Sequence, residues 1–371
     1  MIDLDILEIQ SLLKMEKYNA AQRIYQYGHN SLIGDDPLEY RTLQQMATTD
    51  NRDIDALSSF YDPYKSFYQD PDYADTTVMN AFRGLEEFRT FTEAQRYQII
   101  TLTLQYQVVY MYAMYECADA LEDCVSQDMY NNADVNNEVT SWDECASFYI
   151  GSLEGFEDHG SDDINDGLLM FSLAKQNAQD FGTSFQEDDK VDSRINRRVL
   201  DALYGGRAAL SRLACSEVKN AMQSVFEYSL VPLIQSVIKA AYQISLPESD
   251  DEDKAVADAV VRAILPVIIS LNKQAGETIG QSLLLLGKGT QQKTPTEIGE
   301  AVTETIFLSG KFDSISCADV GKLENVDVCE RVQPALMSMA NSGVNSLFDS
   351  RCSSFEQVVV ALTAVLVFAW A

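Results

Sequence analysis

The sequence predicts a mainly α-helical protein, built as one large helical bundle or as two stacked helical halves. Three observations support this fold class: apolar residues recur at helical spacing along most of the chain, alternating strand-like runs are few, and only eight prolines interrupt 371 residues. Polar, acid-rich loops separate the periodic segments. A chain of this length can bury a large core.

The predicted helices fall into a tyrosine-rich half and an aliphatic half, with a seam near residues 185–195. In the aliphatic half, the segments beginning at Pro232 and Pro266 match at Pro, Ile, Ser, Lys and Ala, which predicts two stacked helices kinked at proline. In chain order, the predicted helices cover residues 4–27, 76–89, 92–124, 141–154, 166–180, 193–226, 228–245, 252–276, 295–309 and 329–348.

The charge of the chain narrows the classes of partner. Lys and Arg number 27 against 57 Asp and Glu, so the formal net charge is -30. Such an acidic surface repels phosphate backbones, and nucleic acid is not expected as a partner. The sequence shows no Cys-x-x-Cys, phosphate-binding glycine loop, Gly-x-Ser-x-Gly or His-Glu-x-x-His pattern. We therefore do not expect an enzyme.

The carboxyl end predicts a surface tether. Residues 358–371 form an apolar run with no charged residue after it, and its length suits the removable tail of a GPI-anchor signal. Cleavage near residues 341–343 would leave six cysteines, an even number that suits disulfides in an oxidising compartment. We expect a helical domain over residues 1–345 and a spacer with an apolar tail over 346–371; a tail-anchored or buried terminal helix is the alternative.

The amino end is acidic and lacks the basic region, apolar run and cleavage site of a signal peptide. The apolar tail and the cysteine count nevertheless agree with each other. We therefore expect a secreted, periplasmic or outer-surface protein that is tethered to the membrane through its C-terminus, with its signal peptide missing from this sequence.

Two acid-rich segments, residues 106–124 and 142–155, set phenols and carboxylates among apolar residues. Carboxylates rarely enter a core unless they are paired or bound to a metal, so each acidic face requires a partner. The two faces are predicted to meet and to enclose oxygen ligands. Helical phasing places on one face of the first segment Tyr112, Glu116, Asp119 and Asp123, and on one face of the second Asp143, Ser147 and Glu154.

The cysteines predict how these segments are joined. Cys117 and Cys124 are seven residues apart, too far along a regular helix to bridge each other. Cys145 is predicted to pair with one of them, which would bind the two segments together. Cys317 and Cys329 are predicted to form a local loop bridge.

Five segments spread over most of the chain carry a family resemblance: residues 20–31, 67–75, 112–124, 142–155 and 231–235. Their most specific element is Phe-Tyr-x-Gly-Ser-Leu-Glu-Gly at 148–155. Together the segments resemble the algal low-iron-inducible periplasmic protein family, also called the iron-assimilating proteins, which includes the diatom phytotransferrins. The resemblance implies a secreted or surface-tethered protein that takes up ferric iron under iron limitation, with carbonate as a synergistic anion.

Ferric iron agrees with the composition, because this hard ion prefers anionic oxygen ligands and the chain has 18 tyrosines. Binding must displace a phenol proton, so release on acidification is expected. Helical phasing and the family-like motifs together select as metal ligands Tyr112, Glu116, Asp119, Asp143, Tyr149 and Glu154. The arginines expected by residue type to seat the anion are Arg83, Arg89, Arg96 and Arg207.

Other interpretations of the same residues stay open. Tyrosines at helical spacing are often core residues whose hydroxyl is hydrogen-bonded. The acids can instead cap helices or pair with Arg96 or Arg89. On that interpretation the chain is a GPI-tethered structural or adhesion protein, or a carbon-dioxide-responsive scaffold of the same family without metal binding.

Overall fold

A computed structural model describes residues 1–33, 39–48, 54–130, 137–154, 167–187, 190–285, 293–324 and 326–330. These residues are helical apart from short connections and one two-stranded hairpin, so the predicted mainly α-helical fold class is confirmed. None of the helices in these ranges is long and apolar enough to cross a membrane. The predicted helix at 329–348 lies outside the described residues from 331 onward, as do the candidate attachment site and the apolar tail.

The helices and strands are numbered in chain order. The helices are α1 Ile2–Lys14, α2 Tyr18–Tyr27, α3 Leu43–Ala47, α4 Asp55–Tyr68, α5 Tyr73–Arg83, α6 Glu93–Thr103, α7 Tyr110–Tyr130, α8 Asn137–Ile150, α9 Met170–Asp180, α10 Arg194–Leu210, α11 Cys215–Ser245, α12 Asp251–Leu271, α13 Lys273–Leu283, α14 Pro295–Leu308 and α15 Cys317–Val320. A 3-10 turn covers Glu86–Thr90, and a π-helical stretch, Leu104–Val109, joins α6 to α7. The strands are β1 Ser184–Glu187 and β2 Lys190–Ser193.

Several predicted helix boundaries are wrong. The predicted helix 4–27 breaks at Glu16 (φ 58°), and 193–226 breaks near Leu213 (φ 52°), where the backbone enters the left-handed region. In contrast, the break predicted at residues 226–228 is not there, because α11 runs on through Pro232. The short α3 and the longer α4 were not predicted at all.

The end of α8 has a direct consequence for the predicted site. The helix ends at Ile150, and Gly151 follows with φ 88°, a conformation that suits a residue without a Cβ. The prediction of a helix through residue 154 is therefore wrong. Glu154 lies beyond the helix, so it does not share a helical face with Asp143.

Disulfides join distant parts of the helical bundle. Cys117–Cys145 links α7 to α8, as predicted for Cys145. Cys124–Cys215 links α7 to the start of α11, and Cys317–Cys329 closes the predicted local bridge. The α7 helix is therefore covalently held to both of these helices.

The predicted seam near residues 185–195 coincides with the β1–β2 hairpin, in which Ser184 pairs with Ser193. Helices on the two sides of the hairpin pack together nonetheless: α8 packs against α10, and α7 against α11. Both sides contribute to one hydrophobic core.

Close packing of α10 on Trp142 gives a stability prediction. The indole is buried and its Nε1–H donates to the carbonyl of Leu203 at 2.8 Å. A Cβ on Gly206 would lie 2.0 Å from the ring, whereas a Cβ on the neighbouring Gly205 would meet nothing within 4 Å. We expect Gly206→Ala to lower the free energy of unfolding by about 1–3 kcal/mol, because overpacking displaces the ring.

The matched control is Gly205→Ala at an exposed helix position. It should raise that free energy by up to about 1 kcal/mol, since alanine has a higher helix propensity than glycine. Urea denaturation of both variants measures the difference. Equal stabilities would contradict the packing described for Trp142.

Candidate functional site

Oxygen-bearing side chains of α7 and α8 come together around Arg41. We call this group the α7–α8 acidic cluster and define it as Tyr112, Glu116 and Asp119 of α7 with Glu144 of α8. The Tyr112 hydroxyl interacts with the Glu116 carboxylate one turn further along α7, and the charges of Glu144 and Asp119 act on the same carboxylate. The cluster therefore draws on both acid-rich segments.

The covalent link between the helices positions the cluster. Glu116 directly precedes Cys117, and Glu144 directly precedes Cys145. Because these two cysteines are bridged, with Cα atoms 5.2 Å apart, the two glutamates are brought to neighbouring positions on the paired helices. A Glu-Cys dipeptide thus occurs on each side of the interface.

Arg41 supplies the positive charge. Its Nη2 lies 3.0 Å from the Glu144 carboxylate, and its guanidinium lies 5.8 Å from the ring centre of Tyr112 and 5.2 Å from that of Phe148. The backbone N–H of Arg41 donates to the carbonyl of Ser31 at 2.7 Å. The Arg41 side chain is 27% exposed, so one edge of the cluster is open to solvent.

Local capping explains why the segment carrying Arg41 takes this path. Thr42 is the N-cap of α3: its hydroxyl accepts from the Gln45 N–H, and the Gln45 side chain accepts from the Thr42 N–H. This capping box ends the extended segment one residue after Arg41. The arginine is therefore held at the entry to a helix.

Burial dominates the electrostatics of Glu116, which is only 5% exposed. Burial raises the pKa of this carboxyl to about 7. Interaction with the Tyr112 hydroxyl and the charge of Arg41 oppose the rise, while Glu144 and Asp119 add to it. Glu116 thus exchanges its proton near neutral pH.

The neighbouring groups are shifted in the same direction. Burial raises the pKa of Tyr112 above its ordinary value, and the charge of Glu116 adds to this. Burial also raises the pKa of Asp119, although the Ser141 hydroxyl donates to its carboxylate at 3.0 Å. The cluster carries more negative groups than positive ones, so a proton or another cation stabilises it.

Three of the predicted ligands have other partners. Asp143 accepts two hydrogen bonds from Arg207, at 2.7 and 3.0 Å. Tyr149 is fully buried and donates to the side-chain oxygen of Asn196 at 3.4 Å. These contacts match the alternative interpretation of ion-paired acids and core tyrosines.

Glu154 is also paired outside the cluster. Its carboxylate lies 3.2 Å from the Lys175 ammonium and accepts from the Gly167 N–H at 3.1 Å. The structure therefore brings Tyr112, Glu116 and Asp119 of the predicted set together, and it gives Asp143, Tyr149 and Glu154 separate surroundings.

Three of the predicted anion-seat arginines, Arg83, Arg89 and Arg96, lie at the connection between α5 and α6, and the fourth, Arg207, lies on α10 and pairs with Asp143. Arg96 donates to the carbonyls of Ala81 and Phe82 at 3.3 and 3.4 Å, and its guanidinium stacks 4.2 Å from the ring centre of Tyr18. Arg83 and Arg89 are exposed. Arg41, which the sequence did not single out, is the arginine that pairs with the cluster.

The most specific motif of the family resemblance has a structural role. After Gly151, the N–H groups of Ser152 and Leu153 and the Ser152 hydroxyl all donate to the carboxylate of Asp3 in α1, the last two at 2.9 and 2.6 Å. The turn that ends α8 is thereby fastened to the amino-terminal helix.

Arg41 and Glu144 are the residues that sequence reasoning missed. Glu144 carried a usable signal: each acid-rich segment contains Glu-Cys, and pairing Cys117 with Cys145 would have placed both glutamates together. Arg41 carried no comparable signal, because its approach depends on the path between α2 and α3.

Comparisons of the chain with protein families, with curated proteins and with solved structures find no match. The resemblance to the low-iron-inducible proteins therefore stays a hypothesis.

The donor set fits a hard cation by type, since it consists of carboxylates and a phenol. Across the described residues, no group of three or more His, Cys, Asp or Glu side chains is already placed to hold a metal ion. Arg41 pairs with Glu144 in this arrangement. Coordination by both helices would therefore require Arg41 to release that carboxylate.

Proposed function

We propose that this protein captures ferric iron as cargo at the α7–α8 acidic cluster and releases it on acidification. The observation that carries the proposal is the buried carboxyl of Glu116, whose pKa is raised to about 7 beside further carboxylates and a phenol. A bound cation would stabilise the charged form of such a carboxyl. Ferric iron is the cation for which phenolate and carboxylate oxygens are the preferred ligands.

The direction of the pH dependence follows from the protons that must leave. Binding displaces the Tyr112 phenol proton at any physiological pH, and below about pH 7 it must also displace the Glu116 proton. Affinity therefore falls more steeply with acidification below that pH. An endosomal pH would favour release.

Carbonate has a seat in this proposal at Arg41. A guanidinium presents a planar set of donors that matches a planar oxyanion. An anion bound to Arg41 would take the place of Glu144, which frees that carboxylate to face the metal. Disulfides joining α7 to two other helices suit an oxidising compartment, which supports the proposed location outside the cytosol.

The test is visible absorption. Purified protein with ferric iron and bicarbonate at pH 7.5 should develop a phenolate-to-iron charge-transfer band that is lost near pH 5, because the ligands regain their protons. Tyr112→Phe should abolish the band. Tyr149→Phe is the matched control and should retain it, since Tyr149 bonds to Asn196 instead.

Absence of a band in the wild type, or its survival in Tyr112→Phe, would rule out this ligand set. A second candidate function, a helical scaffold without metal binding, is favoured by the pairing of Glu144, Asp143 and Glu154 with cationic side chains. It predicts that ferric iron leaves Tm unchanged, whereas binding to the folded state raises Tm.

A further inference from the structure

A cavity lies between α4, the 3-10 turn at Glu86–Thr90, α12 and α13. Its volume is about 390 Å³, within the range of small-molecule sites. Apolar walls come from Phe67, Tyr68, Ile269 and Leu284, which are half-buried. None of the lining residues belongs to the α7–α8 acidic cluster.

A fixed arginine stands in this cavity. The Arg262 side chain is 12% exposed; its Nη1 donates to Glu87 at 3.0 Å and its Nε to the fully buried Asp258. The Asp258 carboxylate also accepts from the Leu285 N–H at 2.8 Å. Two carboxylates thus hold the guanidinium in one orientation.

Those two bonds leave part of the guanidinium unused. An arginine has five N–H donors, and within the described residues the other three of Arg262 donate to no carbonyl or side chain. Donors that have no protein acceptor can form hydrogen bonds with an acceptor that enters the cavity. The cavity therefore offers directed hydrogen bonds beside an apolar wall.

Charge decides which acceptor fits. Asp258 and Glu87 exceed Arg262 by one negative charge, and Glu277 lies on the same lining. An anionic ligand would be repelled, whereas a neutral oxygen would not. We propose that this cavity binds a small, mainly apolar, neutral molecule whose carbonyl oxygen accepts hydrogen bonds from Arg262.

The walls are positioned in advance. The Tyr68 hydroxyl donates to the carbonyl of Arg262 at 3.0 Å, and its ring stacks on Tyr73 with centres 4.4 Å apart and planes 3° apart. At Gly276, a Cβ would lie 2.1 Å from the Ile269 side chain, so α13 approaches α12 closely there. A preformed wall lowers the entropy lost on binding.

The experiment uses the full chain and the neutral fluorescent ketone 6-propionyl-2-dimethylaminonaphthalene. Saturable binding with a blue-shifted emission is expected. The analogue without the ketone, 2-dimethylaminonaphthalene, should bind at least about tenfold more weakly, because it offers no acceptor to Arg262. Binding of neither compound, or equal binding of both, would overturn the proposal.

Two variants locate the site. A Cβ at Gly280 would contact Leu265 and Leu284 at ordinary distances of 3.4 and 3.6 Å, so Gly280→Val should fold while its methyls narrow the cavity. It should weaken ketone binding at least tenfold, and Gly205→Val, the same change at an exposed helix glycine, should not.

Arg262→Lys keeps the charge between Asp258 and Glu87 but removes the planar set of donors. It should abolish the preference for the ketone over its analogue. If Gly280→Val fails to fold by circular dichroism, this variant still decides, because an unchanged preference would overturn the role of Arg262.

Discussion

Replacing Glu116 by glutamine is expected to weaken ferric-iron binding at pH 7.5 by about a hundredfold or more. The amide keeps the shape of the side chain but contributes no negative charge. Substituting a residue that only hydrogen-bonds to a metal ligand commonly lowers metal affinity by about 10–100-fold. Substituting a ligand itself should lower it at least as much. Competition against nitrilotriacetate, followed by the charge-transfer band, measures the loss.

The pH profile makes this expectation specific. In the wild type, the affinity for ferric iron should fall more steeply with decreasing pH below about pH 7, where Glu116 must release its proton. In Glu116→Gln that change of slope should vanish. Glu122→Gln, on the same helix but outside the cluster, is the control and should keep the wild-type profile. A wild-type profile in Glu116→Gln would exclude Glu116 as a ligand.

The same variant has an opposite effect on the metal-free protein. The folded-state pKa of Glu116, about 7, lies above its ordinary value of 4.5. The folded state then binds more protons than the unfolded state between these values, so stability falls as pH rises through that window. Glu116→Gln should therefore raise the free energy of unfolding at pH 8 by about 3 kcal/mol and change it little at pH 4. Denaturation at both pH values tests this without iron.

Removing the Cys124–Cys215 bridge is expected to have the largest effect on stability. It spans 91 residues, so Cys124→Ala with Cys215→Ala should lower the free energy of unfolding by about 4.5 kcal/mol, because the unfolded chain regains the freedom of a long loop. Chemical denaturation without reductant measures the change.

The matched control is Cys317→Ala with Cys329→Ala, which opens a loop of only 12 residues. Its expected loss is about 3 kcal/mol. An equal or larger loss in this control would show that loop length does not set the contribution of these bridges.

How much the sequence could predict depends on how local each cause is. Helical periodicity is local, and it was enough for the fold class and for the stripe of Tyr112, Glu116 and Asp119. The break at Leu213 has no such signal, because leucine is not a residue that favours the left-handed backbone it adopts there. The end of α8 has a local signal in Gly151, but the turn after it is held by Asp3, which is distant in sequence.

The site shows the same division between local and long-range causes. Phasing grouped Tyr112, Glu116 and Asp119 on α7, but it wrongly placed Glu154 on the face of Asp143 and did not identify the partners across helices. Asp143 was selected by phasing, although it is Glu144 that meets Glu116. Which side of α8 faces α7 is set by the Cys117–Cys145 bridge and by tertiary packing. A phase angle within one segment does not contain that information.

The Cys117–Cys145 bridge has a further effect on the glutamates that precede it. Two helices that carry facing carboxylates would ordinarily lower their repulsion by drifting apart. The covalent bond prevents this, and the proton that burial keeps on Glu116 near neutrality also removes part of that repulsion. A cation of higher charge that binds there would have to displace this proton, and lowering the pH restores the proton.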